Sequence, residues 1–151
     1  MAKRILVPID AHEGSEAIVP VVAPFARHSG AAIRLVRVSP VPERVVGSYG
    51  RTIAYADQEM ARLTAEALDD LHRVEHDLHG IPVDSVVRFG DPVEEILVEA
   101  EAFEADLIAL VSSHRGALRS ALSPGVAQRL IRKAPVPTLA LHEPGSAGPA
   151  S

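Results

Sequence analysis

Five short apolar segments, each of strand length, recur along the chain. They are rich in valine, isoleucine and leucine and contain few polar positions. The segments cover residues 4–10, 32–38, 83–89, 105–112 and 136–142. Strands that form nearly continuous apolar runs are typically buried on both faces, as in a parallel sheet covered by helices. The pattern therefore predicts five strands of an α/β fold.

Segments with helical spacing separate these strands. The clearest covers 57–79, where apolar residues recur every three or four positions, at Met60, Leu63, Ala67, Leu71, Val74 and Leu78. The alternation of strands and helices predicts one domain over 3–142, an open parallel sheet with helices on both faces. Residues 143–151 are small and rich in proline and glycine, which predicts a disordered tail.

Proline and glycine mark the expected ends of these elements. Pro20 and Pro24 within 15–29 predict a helix that starts late or is kinked, and Gly30 is a plausible stop. Asp91 followed by Pro92 predicts a capped helix start. Residues 39–56 lack sustained periodicity, so we expect a long loop, a feature that is often functional.

Composition narrows the class of protein. The chain has no cysteine, which excludes disulfides, thiolate metal sites and cysteine nucleophiles. Its apolar runs are too short for a signal peptide or a membrane span, so we expect a cytoplasmic protein that does not enter a membrane. A net charge of −5 and an aromatic content of 3% argue against binding to nucleic acid.

A ligand site is expected where the strands end. In an open parallel sheet, ligands bind beyond the carboxyl ends of the strands, where the strand order reverses. Asp10 ends the first strand, Val38 the second and Ser112 the fourth, and Gly125 stands near the start of the last helix. Unsatisfied N–H groups at a helix start favour an anion.

The chain resembles the UspA-type universal stress protein family over residues 3–142. The resemblance is carried by "KRILVPID" (3–10), "AIVPVVAPFARHSGAAIRLVRV" (17–38), "GDPVEEIL" (90–97), "ADLIALVSSH" (105–114) and "LIRKAPVPTLAL" (130–141), in the family's order and spacing. It implies a five-stranded parallel sheet of strand order 3-2-1-4-5. Many members of the family bind ATP at the carboxyl ends of the strands.

The resemblance also implies which residues would bind ATP with Mg²⁺, and where this chain departs from the pattern. The matching positions are Pro8, Asp10, Val38, Ser112, Ser113, His114, Arg115, Gly116, Gly125 and Val126. The family's phosphate loop reads G-x-x-G, nine residues, then G-[S/T]. Here Ser112 replaces the first glycine, Arg115 the second, or Gly116 with a shifted gap, and Pro124 with Gly125 replaces Gly-Ser. Such departures remove positions where backbone N–H groups approach phosphate.

Two hypotheses about function follow. The first is a stress-response regulatory or binding protein with a degenerate nucleotide loop, weak or absent ATP binding, and an unknown protein partner. The second is an ATP-binding switch or slow ATPase, in which serines, Arg115 and Arg119 bind the phosphates instead of glycine amides. In both, the resemblance implies a homodimer that forms through the last strand, Val136 to Leu141.

Other polar groups have simpler interpretations. His72, His76 and His79 share one helix face, but they flank its apolar face, which favours a solvated edge over a zinc site. Arg37 could contact an anionic ligand, although we favour a salt bridge to a neighbouring helix. Ser113 beside His114 is not a favoured dyad, because adjacent residues of a strand point to opposite faces. We therefore expect no catalytic residues.

Overall fold

A computed structural model of the chain describes residues 3–11, 13–42, 51–113 and 124–143. Strands and helices alternate throughout these residues. The strands are β1 (Arg4–Pro8), β2 (Ala32–Ser39), β3 (Val83–Phe89), β4 (Leu107–Ser113) and β5 (Thr138–Glu143). The helices are a 3₁₀ helix (Glu13–Ile18), α1 (Val19–Ser29), α2 (Arg51–His76), α3 (Pro92–Phe103) and α4 (Pro124–Lys133).

The five strands form one parallel sheet of order β3-β2-β1-β4-β5. Strands β1, β2 and β3 lie side by side in chain order. The chain then crosses to the other side of β1 to form β4 and β5. The strand order therefore reverses between β1 and β4. The predicted fold class and strand order are confirmed.

Helices cover both faces of the sheet and bury two separate clusters of aliphatic side chains. On one face, Ile5 and Leu35 pack in a cluster with Leu71 of α2. On the other, Leu6 packs with Ile96 of α3. Each fully buried aliphatic side chain contributes roughly 1.5–3 kcal/mol of hydrophobic stabilisation. Apolar residues predominate in the central strands because both of their faces are buried.

The region of the first helix begins with a 3₁₀ helix, and regular α-helix starts at Val19. Pro20 lies in the first turn, where its missing N–H costs no hydrogen bond, while Pro24 lies inside the helix. The helix ends at Gly30, whose φ is 75° and whose N–H donates to the Ala26 carbonyl. The predicted late start and glycine stop are both confirmed.

Helix α2 is longer at its start than the sequence pattern predicts. It begins at Arg51, so the part of the expected loop from 51 to 56 is helical. That stretch contains no proline or glycine, and it is too short to show a helical period by itself. Extending an existing helix is favourable once its costly first turn has formed, so these residues join the strongly periodic segment that follows. Residues 43–50 of the expected loop lie outside the described residues.

The last strand begins later than the apolar run from 136 predicts. Pro137 has no N–H for the ladder, and pairing with β4 begins at Thr138. The Pro137 carbonyl still accepts from the Ile108 N–H at 3.0 Å. Strand β5 continues through Glu143, and residues 144–151 of the expected tail lie outside the described part of the chain.

Within the described residues, none of the helices combines the length and the apolar character needed to cross a bilayer.

Candidate functional site

The strand register places predicted site residues in one row at the carboxyl edge of the sheet. Val38 pairs with Arg88, and Ser112 pairs with His142. Strand β1 pairs in register with β2 up to Pro8 and with β4 at Leu6 and Ile108. The same register, continued to residue 10, places Asp10 between Val38 and Ser112. We call Arg88, Val38, Asp10, Ser112 and His142 the carboxyl-edge row.

The centre of this row is buried. Asp10 is 8% exposed, Val38 is 7% exposed and Ser112 is 6% exposed. Val38 packs in the cluster beneath α3 and α4, so the row faces that side of the sheet. A carboxylate, an aliphatic surface and a hydroxyl therefore lie side by side where three strands end.

The start of α4 belongs to the same edge. This helix leads back to the beginning of β5, so its first turn lies near the carboxyl ends of the strands. Gly125 in that turn is exposed and Val126 is partly buried. Backbone N–H groups of a first helical turn have no partner within the helix and attract anions. Pro8, at the end of β1, completes the described part of the predicted site.

Of the remaining residues of the predicted phosphate site, the structure describes Ser113. Ser113 is the last residue of β4 and pairs through its backbone with Glu143. His114, Arg115 and Gly116 lie outside the described residues, as does Arg119. The described structure thus brings together the residues expected around the nucleoside and the start of α4.

Two side chains hold the backbone of Asp10. The Asp10 N–H donates to the Ser15 hydroxyl oxygen at 3.1 Å, and the same hydroxyl donates to the Asp10 carbonyl at 3.2 Å. The Arg37 guanidinium donates to the Asp10 carbonyl at 3.1 Å and to the Ile9 carbonyl at 3.2 Å. Ser15 was not among the predicted site residues, because no motif marks a contact across five residues of a turn.

Arg37 also forms the salt bridge that the sequence analysis favoured. Its Nη1 lies 3.1 Å from Asp70 Oδ2 on α2, and the arginine is 7% exposed. Arg73 contacts the other carboxylate oxygen of Asp70. Hydrogen bonds from Arg73 and Arg37 lower the pKa of Asp70 below its ordinary value. Asp70 therefore stays negatively charged at neutral pH and balances the buried guanidinium.

Carboxylates neutralise Arg88 at the other end of the row. Its Nε donates to Glu95 at 2.7 Å and its Nη1 to Glu99 at 3.1 Å. Glu99 is 3% exposed and also accepts from Arg34, whose guanidinium lies over the Phe103 ring. Hydrogen bonding to Glu95 raises the pKa of Arg88. This charge network joins β2, β3 and α3 beside the row, so the positive charge of Arg88 is already balanced.

The three histidines of α2 and the turn after it lie in solvent. His72, His76 and His79 are exposed, whereas Leu71 and Val74 of the same helix are buried. The predicted arrangement at the edge of the apolar face is confirmed. In the described ranges, three or more histidine, aspartate or glutamate side chains do not come together in a way that could hold a metal ion.

Comparisons with known proteins agree with this architecture. The profile of the universal stress protein family matches residues 1–142. The solved structure of hypothetical protein MJ0577 has 26% identity and a TM-score of 0.78, and the match covers 94% of this chain and 96% of that one. A search of curated protein sequences found no significant match.

Two further solved structures of similar fold contain nucleotides. A universal stress protein in complex with cAMP has 16% identity and a TM-score of 0.61, with 93% of this chain and 97% of that chain covered. The universal stress protein from Archaeoglobus fulgidus in complex with dAMP has 20% identity and a TM-score of 0.57, with 91% and 96% covered. The family match over 1–142 and the shared fold lead to one conclusion: this chain belongs to the universal stress protein family.

Proposed function

We propose that this chain is a cytoplasmic, dimeric stress-response binding protein whose carboxyl-edge row binds adenine nucleotides weakly. The observation that carries the proposal is the juxtaposition of buried Asp10, Val38 and Ser112 at the point where the strand order reverses. The cAMP and dAMP complexes of two proteins with this fold support an adenine nucleotide as the ligand class.

The nucleoside part of such a ligand suits the described residues. Val38 offers an aliphatic surface to a base or a ribose, and the Asp10 carboxylate can accept hydrogen bonds from ribose hydroxyls. At the centre of the row, this carboxylate would also hold Mg²⁺, which prefers oxygen ligands. The fixed backbone of Asp10 orients this group before the ligand arrives, which reduces the entropy lost on binding.

The phosphate part has fewer favourable contacts. The first turn of α4 supplies N–H groups and a partial positive charge, but Pro124 contributes no N–H. Ser112 stands where ATP-binding relatives have a glycine, and its side chain is buried at the end of β4. We expect each additional phosphate to add little affinity, because charge from side chains rarely reproduces the geometry of backbone amides.

Calorimetric titration of the nucleotide-free protein with ATP, ADP and AMP in the presence of Mg²⁺ tests the proposal. We expect dissociation constants of about 0.1–1 mM, which correspond to roughly −4 to −5.5 kcal/mol, with ATP and AMP within about threefold of each other. Asp10→Asn should weaken AMP binding at least about fivefold, since it removes the charge without changing the shape. The matched control is Asp77→Asn at an exposed turn, which should leave affinity unchanged.

Two outcomes would contradict this proposal. ATP binding more than about tenfold tighter than AMP binding, abolished by Arg115→Ala with Arg119→Ala, would instead support a switch or slow ATPase with side chains in place of glycines. Absence of heat up to millimolar nucleotide, from a protein shown to be folded, would exclude adenine nucleotides as the ligand.

A further inference from the structure

Arg37 makes an unusual set of contacts for an arginine in the interior. It lies two residues before the end of β2 and is 7% exposed. Its Nε donates to the Ile9 carbonyl, its Nη2 to the Asp10 carbonyl and its Nη1 to the Asp70 carboxylate. Each of its three nitrogen atoms therefore has an acceptor on another element of the fold.

The two carbonyls lie just beyond the last paired residue of β1. The ladder between β1 and β2 ends at Pro8 and Val36, and the Ile9 N–H still donates to the Val36 carbonyl at 2.9 Å. A buried carbonyl without a donor is unfavourable, and Arg37 supplies donors to both carbonyls at this strand end. A planar guanidinium can span two neighbouring carbonyls, whereas an ammonium acts as a point charge.

Asp70 extends this connection to α2. It accepts from Arg37 at 3.1 Å, and its side chain is 42% exposed whereas that of Arg37 is 9% exposed. The negative charge that balances the buried guanidinium is thus the carboxylate of a partly exposed residue on α2. The contacts run without a gap from Asp70 through Arg37 to the carbonyl of Asp10.

We propose that Arg37 is a positioning residue, which fixes the backbone of Asp10 for nucleotide binding and links it to α2 through Asp70. The inference rests on the proposed function above. Arg37 does not itself contact the ligand in this scheme, because all three of its nitrogen atoms are directed to Ile9, Asp10 and Asp70. Its loss should therefore weaken nucleotide binding by disordering Asp10.

Hydrogen–deuterium exchange of the ligand-free protein tests the positioning directly. In Arg37→Gln, peptides that cover residues 9–18 should lose protection at least about tenfold, because Gln cannot span two carbonyls and a carboxylate. Asp70→Ala should cause a smaller loss in the same peptides. The matched control is Arg62→Gln, which removes an exposed arginine with two ion pairs on α2 and should leave these peptides unchanged. Unchanged exchange in Arg37→Gln would overturn the inference, whatever the protein binds.

AMP affinity separates positioning from a general loss of stability. Arg37→Gln should raise the dissociation constant for AMP at least about fivefold. Val74→Ala, which truncates a buried residue of α2 away from the row, should destabilise the fold but change AMP affinity by less than about twofold. If both variants weaken binding equally, Arg37 acts only through stability and the inference is wrong.

The same titrations distinguish the two proposals. If the unaltered protein binds AMP and Arg37→Gln binds it equally well, the inference about Arg37 fails and the proposed function stands. If the unaltered protein binds no adenine nucleotide at millimolar concentration, the proposed function fails, and the role of Arg37 in binding fails with it.

Discussion

At the scale of single residues, Asp91 shows how far a local pattern can specify structure. Its side chain accepts from the Glu94 N–H at 3.0 Å and caps α3, as the Asp-Pro pair predicts. We expect Asp91→Ala to lower the free energy of unfolding by about 1 kcal/mol, because the Glu94 N–H in the first turn of the helix loses its acceptor. Urea unfolding monitored by circular dichroism measures this difference.

The matched control for this prediction is Asp91→Asn. Asparagine caps a helix about as well as aspartate, so this variant should stay within about 0.5 kcal/mol of the unaltered protein. It also removes the partner of Arg129, 3.7 Å away, but a partly exposed ion pair contributes little. Equal destabilisation by alanine and asparagine would show that the charge of Asp91, and not its cap, stabilises α3.

Contacts within one turn could be predicted with both partners named, whereas the partners of residues that reach another element could not be identified. The sequence shows Asp91 three positions before its partner, Glu94. For Arg37 it favoured a salt bridge to a neighbouring helix over a ligand but did not identify Asp70 as the partner, because that requires knowing which residue of α2 lies across from β2. Ser15 depends on the path of the chain after β1, which no periodic pattern records.

At the scale of secondary-structure elements, Asp106 ties the start of β1 to the segment before β4. Its Oδ2 accepts from the backbone N–H groups of Lys3 and Arg4, at 2.8 and 3.0 Å. These hydrogen bonds, that from Lys3 first, lower the pKa of Asp106 below its ordinary value of 3.8. A carboxyl group with a lowered pKa stabilises the folded state when ionised, so its contribution is present above pH 3.8 and is lost as pH falls through the folded value.

We therefore expect Asp106→Asn to be less stable than the unaltered protein at pH 7 and to approach it as pH decreases below about 4. Urea unfolding at pH 7, 5, 4 and 3 measures the difference between the two proteins. Asp77→Asn, at an exposed turn, controls for the loss of one surface carboxylate. A difference that stays constant over this pH range would show that the ionised form of Asp106 is not what the two N–H groups require.

Element boundaries were less predictable than the elements themselves. The start of α2 at Arg51 was missed because the first residues of a long helix carry too few turns to show a period. The start of β5 was placed too early because Val136 continues the apolar run, although it packs beneath α3 and α4 before the strand begins. A run of hydrophobic residues indicates which positions are buried, and buried positions continue past the ends of the hydrogen-bonded strand.

At the scale of the whole molecule, the sheet has two edge strands, β3 and β5. The α/β class follows from the apolar runs and their helical spacers, whereas the strand order came from the family resemblance, since alternation alone is compatible with several orders. Edge strands present unpaired backbone groups and are usually covered or paired with another chain. The edge at β5 also carries Leu139, which is 43% exposed.

We expect two copies of the chain to pair through β5 in a twofold dimer, in which each Leu139 is covered by the partner. Leu139→Glu should raise the dissociation constant of the dimer at least about tenfold, or roughly 1.4 kcal/mol, because it places like charges against each other across the axis. Sedimentation equilibrium at micromolar concentration measures this change. The matched control is Val98→Glu on α3, which introduces the same charge at an apolar residue that is 48% exposed. An unaltered protein that is monomeric at these concentrations, or a Leu139→Glu variant that still dimerises normally, would exclude β5 as the interface.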